Sequence, residues 1–191
     1  MTEPWPLDPA GWTSTTPAAV VPQPAAEADG LRGRRVVVGL PGLGWRGDLR
    51  ADDPVVQSAR TFVPILPEAE WYRAEVDGVD VYVPLVPIER VWVETVHTAD
   101  AVDVSRLVSL DGPPRREPIP VLDAGPLTGR RIVTISDGLA RRDLRAITEL
   151  HVGADDTVCL RLCTERDWYR WAWTGIAPST TASAVQHSWI E

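Results

Sequence analysis

The sequence predicts an all-β fold made of two tandem small barrels that are related by internal duplication. Two observations predict it. Short runs of alternating or β-branched apolar residues recur along a chain of 191 residues, which is long enough for two small domains. In addition, the phrase Trp-Tyr-Arg occurs twice, at 71–73 and 168–170, each time with a glycine five residues after the arginine. We therefore expect one small sheet-based unit to be present in two copies.

The duplicated unit covers residues 31–94 and 127–191. Aligning the two segments at a shift of 95 to 97 residues, with two small gaps, gives 19 identities over about 64 positions. The identities follow one order from Leu31 and Leu127 to Glu94 and Glu191. Self-similarity of this kind indicates two copies of one structural unit, which we call repeat 1 and repeat 2.

The N-terminal tail, residues 1–30, precedes repeat 1. It is rich in Pro, Ala and Thr and carries four acidic side chains and no basic one. Such a segment cannot bury enough apolar surface to offset its ordering entropy, so we expect it to be extended or disordered. Trp5 and Trp12 favour docking of this tail on the protein's own surface, and docking on a partner is the alternative.

Strand signals dominate repeat 1. Its six prolines interrupt every apolar stripe of helical period, which argues against helices. The sequence predicts a tight hairpin turn at Asp77-Gly78 and a long loop over 42–54. It predicts strands over 34–40, 60–66, 70–76, 79–85 and 89–94.

The segment 70–94 is similar to the second half of a Src-homology-three (SH3) domain. The matching positions are Trp71, Gly78, Pro84 and Val91. The resemblance implies an SH3-like barrel in each repeat, with Trp71 on a strand and Gly78 at the distal hairpin. It does not imply a Pro-rich peptide ligand, because repeat 1 lacks the acidic loop and the tyrosine pair of the peptide-binding members.

The connector, residues 95–126, separates the repeats. Its apolar residues between 102 and 110 fit either a short helix or a strand laid on a barrel. The proline-rich stretch 111–120 must be extended, because proline blocks both helices and central strands. With this apolar content, we expect the connector to pack the two units together.

The two cysteines, Cys159 and Cys163, lie four residues apart in one predicted strand. That spacing places both on one face but about 13 Å apart, which is too far for a disulfide. We interpret them as two buried thiols of a cytoplasmic protein. A zinc site needs more cysteine or histidine at ligand spacing.

The repeated Trp-Tyr-Arg phrase supplies the candidate partner-binding residues. On a strand, Trp71 and Arg73 share one face, and Trp171 and Trp173 share one face in the second copy. Tryptophan and arginine dominate interaction hot spots, and both faces of the second strand cannot be core. The alternative is a tryptophan packed over the hairpin beside an arginine in a local ion pair. The complete predicted set is Trp71, Arg73, Trp168, Arg170, Trp171 and Trp173.

No motif for catalysis, a cofactor or a metal is evident. The glycines over 42–47 lack the lysine of a phosphate-binding loop. The repeated Asp-Leu-Arg, at 48–50 and 143–145, is interpreted as a turn with an internal Asp–Arg pair. His97 has Glu94 and Asp100 three residues to either side, a spacing that is common by chance. We predict no catalytic residues, no cofactor and no metal.

The charge balance limits the partners. With 19 arginines and no lysine against 27 acidic residues, the net charge is −8. Nucleic-acid binding needs clustered cations, so we predict no nucleic-acid partner. No run of about 18 apolar residues and no signal-peptide pattern is present, so we expect no membrane span and a cytoplasmic location.

The sequence therefore favours a non-enzymatic protein-interaction or assembly module whose partner is another protein or a second copy of itself. One alternative is a small-molecule-binding protein or enzyme with a cleft between the barrels. Its polar groups would be Arg50, Arg145, Glu94 and His97. A further alternative is an acidic inhibitor or immunity protein, whose affinity would fall steeply with salt.

Overall fold

The structure, a computed structural model, describes residues 16–96, 112–153 and 156–191. It confirms the predicted fold class. The described residues form two curled antiparallel sheets of seven strands each, which are the two tandem small barrels, together with two α-helices. Two compact bodies result. Among the described residues, the first body holds those within Ala18–Glu117 and Thr164–Ser179, and the second body holds those within Pro118–Cys163 and Thr180–Glu191.

The first sheet has the strand order β1-β7-β2-β3-β5-β4, with β6 paired to β5. All of its pairings are antiparallel. Its strands are β1 Val20–Pro24, β2 Arg35–Leu40, β3 Gly44–Ala51, β4 Val55–Gln57, β5 Arg60–Pro67, β6 Leu85–Pro87 and β7 Val91–Val96, and helix α1, Glu68–Asp77, lies between β5 and β6.

The second sheet repeats this plan. Its order is β11-β12-β10-β9-β14-β8, with β13 paired to β12. Its strands are β8 Ile119–Pro120, β9 Arg131–Ser136, β10 Leu139–Ala146, β11 His151–Val152, β12 Val158–Thr164, β13 Thr181–Ala184 and β14 Ser188–Ile190, and helix α2, Glu165–Thr174, follows β12. Each element of repeat 2 thus has a counterpart in repeat 1, as duplication requires.

The structural equivalence begins upstream of the sequence identities. A strand and a one-turn 3-10 helix precede each repeat: β1 with Ala25–Glu27, and β8 with Val121–Asp123. In β1, Val20 pairs with Val96 and Pro24 with Trp92. Proline is tolerated here because β1 is an edge strand: β7 pairs along one of its sides, and on the other side the described residues provide only the bridge from Val20 to Arg116.

Residues 20–24 of the tail are therefore extended, as predicted, and form part of the first sheet. The expectations for Trp5 and Trp12 lie outside the described residues. In the connector, the apolar stretch 102–110 also lies outside them. The proline-rich stretch that follows is extended, and Arg116 exchanges two backbone hydrogen bonds of 2.9 Å with Val20.

Each body has its own apolar core. The first core contains ten buried residues: Ala25, Leu31, Val36, Val38, Leu49, Ala51, Val63, Ile65, Val91 and Val93. The second contains nine: Val121, Leu127, Ile132, Leu144, Ala146, Leu160, Leu162, Val185 and Ile190. Alternate residues of the strands supply these cores, so period 2 sets their inward faces.

The strand predicted over 70–76 is wrong: these residues lie in α1, and the second Trp-Tyr-Arg lies in α2. Glu68 and Glu70 stand in the first turn of α1, where acidic side chains favour a helix. Gly78 adopts φ +62° as the left-handed residue that ends α1, so the predicted hairpin turn there is a helix C-cap.

Two further predictions around these elements are corrected. The return strand expected over 79–85 is largely absent, because strand pairing begins only at Leu85. The loop expected over 42–54 is mostly strand β3, in spite of three glycines, because its backbone completes the ladder with β2. A bulge in that pairing accommodates Asp48 at φ +55°.

Candidate functional site

Helices α1 and α2 pack against each other within the first body, although α2 belongs to repeat 2 by sequence. The rings of Tyr72 and Tyr169 stack with centroids 5.5 Å apart and planes inclined by 21°. These tyrosines occupy equivalent positions in the two repeats. The helix pair is therefore built around a contact between two copies of one residue.

The same tyrosines exchange hydrogen bonds with the glutamates that begin the helices. The Tyr169 hydroxyl donates to Glu68 at 3.0 Å, and the Tyr72 hydroxyl donates to Glu165 at 3.3 Å. Glu68 and Glu165 are also equivalent residues. Each tyrosine thus bonds the glutamate of the other repeat, which is the reciprocal pattern of a two-fold interface.

Two arginines from the first sheet neutralise these carboxylates. Arg50 lies 3.0 Å from Glu68 and 2.8 Å from Glu165, and Arg35 lies 2.9 Å from Glu165. The side chains of Glu68 and Glu165 are fully buried. Buried carboxylates need both charge partners and hydrogen bonds to offset their desolvation, and this cluster supplies both.

Burial raises the pKa of Tyr72 to about 12, and the Arg50 guanidinium opposes this rise. The phenol therefore remains protonated at neutral pH and can act as a donor. Arg50 also donates to the Tyr72 hydroxyl at 3.0 Å and to the Gly33 carbonyl at 2.8 Å. We call Arg35, Arg50, Glu68, Tyr72, Glu165 and Tyr169 the buried network.

The Asp-Leu-Arg interpretation is wrong, because the arginine of the first copy belongs to this network and the motif lies in a strand. In the second copy the aspartate pairs with a different arginine: Arg141 lies 2.8 Å from Asp143. Arg145 donates instead to the Gly129 carbonyl at 2.8 Å. This arrangement repeats the bond from Arg50 to Gly33 at the matching glycine.

The first Trp-Tyr-Arg phrase divides between interior and surface. Trp71 is buried at 8% exposure, with Gly33 against its ring and the Arg32 guanidinium 5.7 Å from its centroid. Arg73 is exposed and lies 3.9 Å from Glu70. The strand argument that put Trp71 and Arg73 on one face does not hold, because α1 has helical periodicity.

The second phrase presents more aromatic surface. Trp168 and Trp171, one helical turn apart, are both half-buried and meet edge to face with centroids 5.7 Å apart. Trp173, which the strand argument placed beside Trp171, is directed elsewhere and donates to Asp77 at 2.7 Å. Arg170 is exposed. We call Arg73, Trp168, Arg170 and Trp171 the helix surface.

Sequence reasoning missed the buried network, although all six of its members are among the repeat identities. The sequence also contained a capping signal for α2. Thr164 accepts from the Asp167 amide at 3.1 Å, and its hydroxyl donates to the Asp167 carboxylate at 2.8 Å. A threonine three residues before an acidic residue is a recognised helix start.

The polar residues proposed for a cleft have other roles where the structure describes them. Arg50 is fully engaged in the buried network. Glu94 is nearly buried, and Arg116 lies 2.8 Å from it. His97 lies outside the described residues. Across 16–96, 112–153 and 156–191, no group of three potential metal ligands is found.

In the same part of the chain, neither helix has the length and apolar character needed to cross a bilayer. Similarity to known proteins adds no assignment to this geometry. No family model, no curated protein and no solved structure matches the chain.

Proposed function

We propose that the protein is a non-enzymatic interaction or assembly module that binds a protein partner, or a second copy of itself, through the helix surface. The buried network holds α1 and α2 in a fixed pair. The outer sides of these helices then present arginine and tryptophan on a rigid support, which lowers the entropy that binding must overcome.

The observation that carries the proposal is an arginine that is identical in the two repeats and exposed in both. Arg73 and Arg170 are equivalent, and both are exposed. Several other identities have structural roles, such as the helix-ending glycines Gly78 and Gly175, although Leu43 and Leu139 are also exposed in both copies. The ion pair of Arg73 with Glu70, at 3.9 Å, is a surface pair of a kind that contributes little to stability, so the retention of this arginine in both copies favours a contact with a partner.

The neighbouring tryptophans support the same interpretation. Trp168 and Trp171 form an aromatic pair that is only partly covered. Half-exposed tryptophan beside arginine is the composition of interaction hot spots. The net charge of −8 disfavours nucleic acid as the partner. Cys159 and Cys163 are buried and are not joined in disulfides, which supports a location in the reducing cytoplasm.

The test compares three single variants of the full chain. Arg170→Ala and Trp171→Ala remove the proposed contacts. Arg166→Ala is the matched control, because Arg166 is an exposed arginine of the same helix that aligns with Ala69 in repeat 1. Chemical crosslinking in the source cells, followed by mass spectrometry, identifies the partner. Calorimetry with that purified partner then measures the dissociation constant.

We expect Arg170→Ala and Trp171→Ala each to weaken binding by roughly tenfold or more, and Arg166→Ala to leave it within about threefold. The same variants in sedimentation experiments test self-association. Equal binding by all three variants, with unchanged melting temperatures, would remove the helix surface from consideration.

A further inference from the structure

Cys159 and His151 form a close pair on the second sheet that is independent of the helix surface. The Cys159 Sγ lies 3.4 Å from the His151 Nε2. The two residues face each other across the antiparallel pair of β11 and β12. Cys159 is buried at 7% exposure and His151 is half-buried at the sheet edge.

The other imidazole nitrogen fixes the direction of this bond. The His151 Nδ1 lies 3.3 Å from the Glu149 carbonyl oxygen and 3.4 Å from the Thr148 hydroxyl. A carbonyl oxygen can only accept, so Nδ1 carries the proton in this contact. Nε2 of a neutral imidazole is then the free acceptor, and the Cys159 thiol is the donor.

The corresponding place in repeat 1 shows that the fold does not require this pair. Cys159 pairs with Ala184 in β13, as Phe62 pairs with Pro87 in β6. The cross-strand neighbour of Phe62 on the other side is Val55. In the first sheet, valine and phenylalanine thus occupy the cross-strand positions that histidine and cysteine occupy in the second. The chemistry of the His–Cys pair is additional to the packing.

We propose that Cys159 is a reactive thiol, with His151 as its proton acceptor, and that small hydroperoxides oxidise it to a sulfenic acid. A cysteine paired with an imidazole base has the arrangement of an activated sulfur nucleophile. The imidazole accepts the thiol proton as the sulfur attacks the terminal peroxide oxygen. The same imidazole then returns that proton to the leaving oxygen.

The step balances in atoms and electrons. One S–H bond and the O–O bond break, while an S–O bond and an O–H bond of the leaving group form. Sulfur loses two electrons and the peroxide gains them. With hydrogen peroxide, one oxygen stays on the sulfur and the other leaves as water. Cys163, four residues along the same strand, is about 13 Å away and too distant to form a disulfide with the product. An external thiol must therefore resolve it.

The experiment treats the native full chain with hydrogen peroxide in the presence of dimedone and follows labelling of each cysteine by peptide mass spectrometry. Cys163 is an internal control, because it lies on the same strand at 3% exposure. Cys159→Ser confirms the assignment of the label. We expect Cys159 to be labelled at least roughly tenfold faster than Cys163.

The variant His151→Val distinguishes the effect of His151 as a proton acceptor from the effect of reagent access to the Cys159 sulfur. Valine is the residue that repeat 1 uses opposite its own β12 counterpart, so the variant keeps a side chain that this fold accepts. It is also smaller than histidine and widens access to the sulfur. We expect labelling of Cys159 to fall by roughly tenfold or more, since the proton acceptor is lost. An unchanged or faster rate, or equal labelling of both cysteines in the parent protein, would overturn the proposal.

Discussion

Tyr169 donates a hydrogen bond of 3.0 Å to Glu68, a carboxylate that is completely buried and that belongs to the other repeat. The equivalent pair, Tyr72 and Glu165, makes the same bond in the opposite direction at 3.3 Å. This reciprocity is typical of an interface between two identical subunits. Here one chain provides both partners. The duplication therefore supplied a ready-made contact between the helices of the two copies.

The buried network makes the stability of the chain sensitive to a single carboxylate. We expect Glu165→Gln to lower the free energy of unfolding by about 3–5 kcal/mol, because two guanidinium groups would lose a buried counter-charge. Glu70→Gln is the control, since the Glu70 side chain is 43% exposed and its ion pair with Arg73 spans 3.9 Å; we expect a change below about 1 kcal/mol. Urea unfolding measures both, and equal effects would contradict the network.

The raised pKa of Tyr72 predicts a change at alkaline pH. Because the folded pKa, about 12, exceeds the ordinary value of 10.0, the folded state holds the phenol proton more tightly than the unfolded state. The associated stability is present below pH 10 and is lost as the pH rises towards 12. Absorbance at the tyrosinate band should show an ionisation near pH 12 that Tyr72→Phe removes. Identical titration curves would refute this assignment.

The glycines that end the two helices test the revised secondary structure. Gly78 and Gly175 have φ of +62° and +70°, and an added Cβ would meet no atom within 4 Å at either position. The cost of Gly→Ala is therefore backbone strain alone, about 1 kcal/mol at each site. Gly47→Ala is the control, because its added Cβ is also free of contacts but its φ is not in the left-handed region. Thermal unfolding should separate the first two variants from the third.

Glu149 predicts an acid-sensitive contribution in the second body. Hydrogen bonds from the Thr128 amide, the Leu127 amide and the Thr128 hydroxyl lower the pKa of the Glu149 carboxyl. A lowered folded pKa gives stability that is present above the ordinary value and is lost as the pH falls through the lower one. We expect the stability difference between the parent and Glu149→Gln to be largest near neutral pH and to shrink on acidification. A pH-independent difference would contradict this.

The sequence could not distinguish helix from strand at Trp-Tyr-Arg because the segment is short. Ten residues with aromatics at varied spacing fit both periods, and the prolines nearby favoured strands. The residues at the ends of the two segments favour helices. Pro67 precedes α1 and Thr164 caps α2, while glycine ends both. Once the residues are helical, Glu68 and Tyr72 share a side one turn apart, and Trp171 and Trp173 do not.

By itself the sequence determined the duplication and the all-β class, because these depend on repeated local patterns that need no knowledge of distant neighbours. Only the tertiary structure decided that Glu68 and Glu165 are interior residues. From sequence alone a charged side chain is expected to be exposed to solvent, and only the fold shows that cations and phenols surround it. The same holds for His151 and Cys159, which are eight residues apart in sequence and become neighbours only through strand pairing.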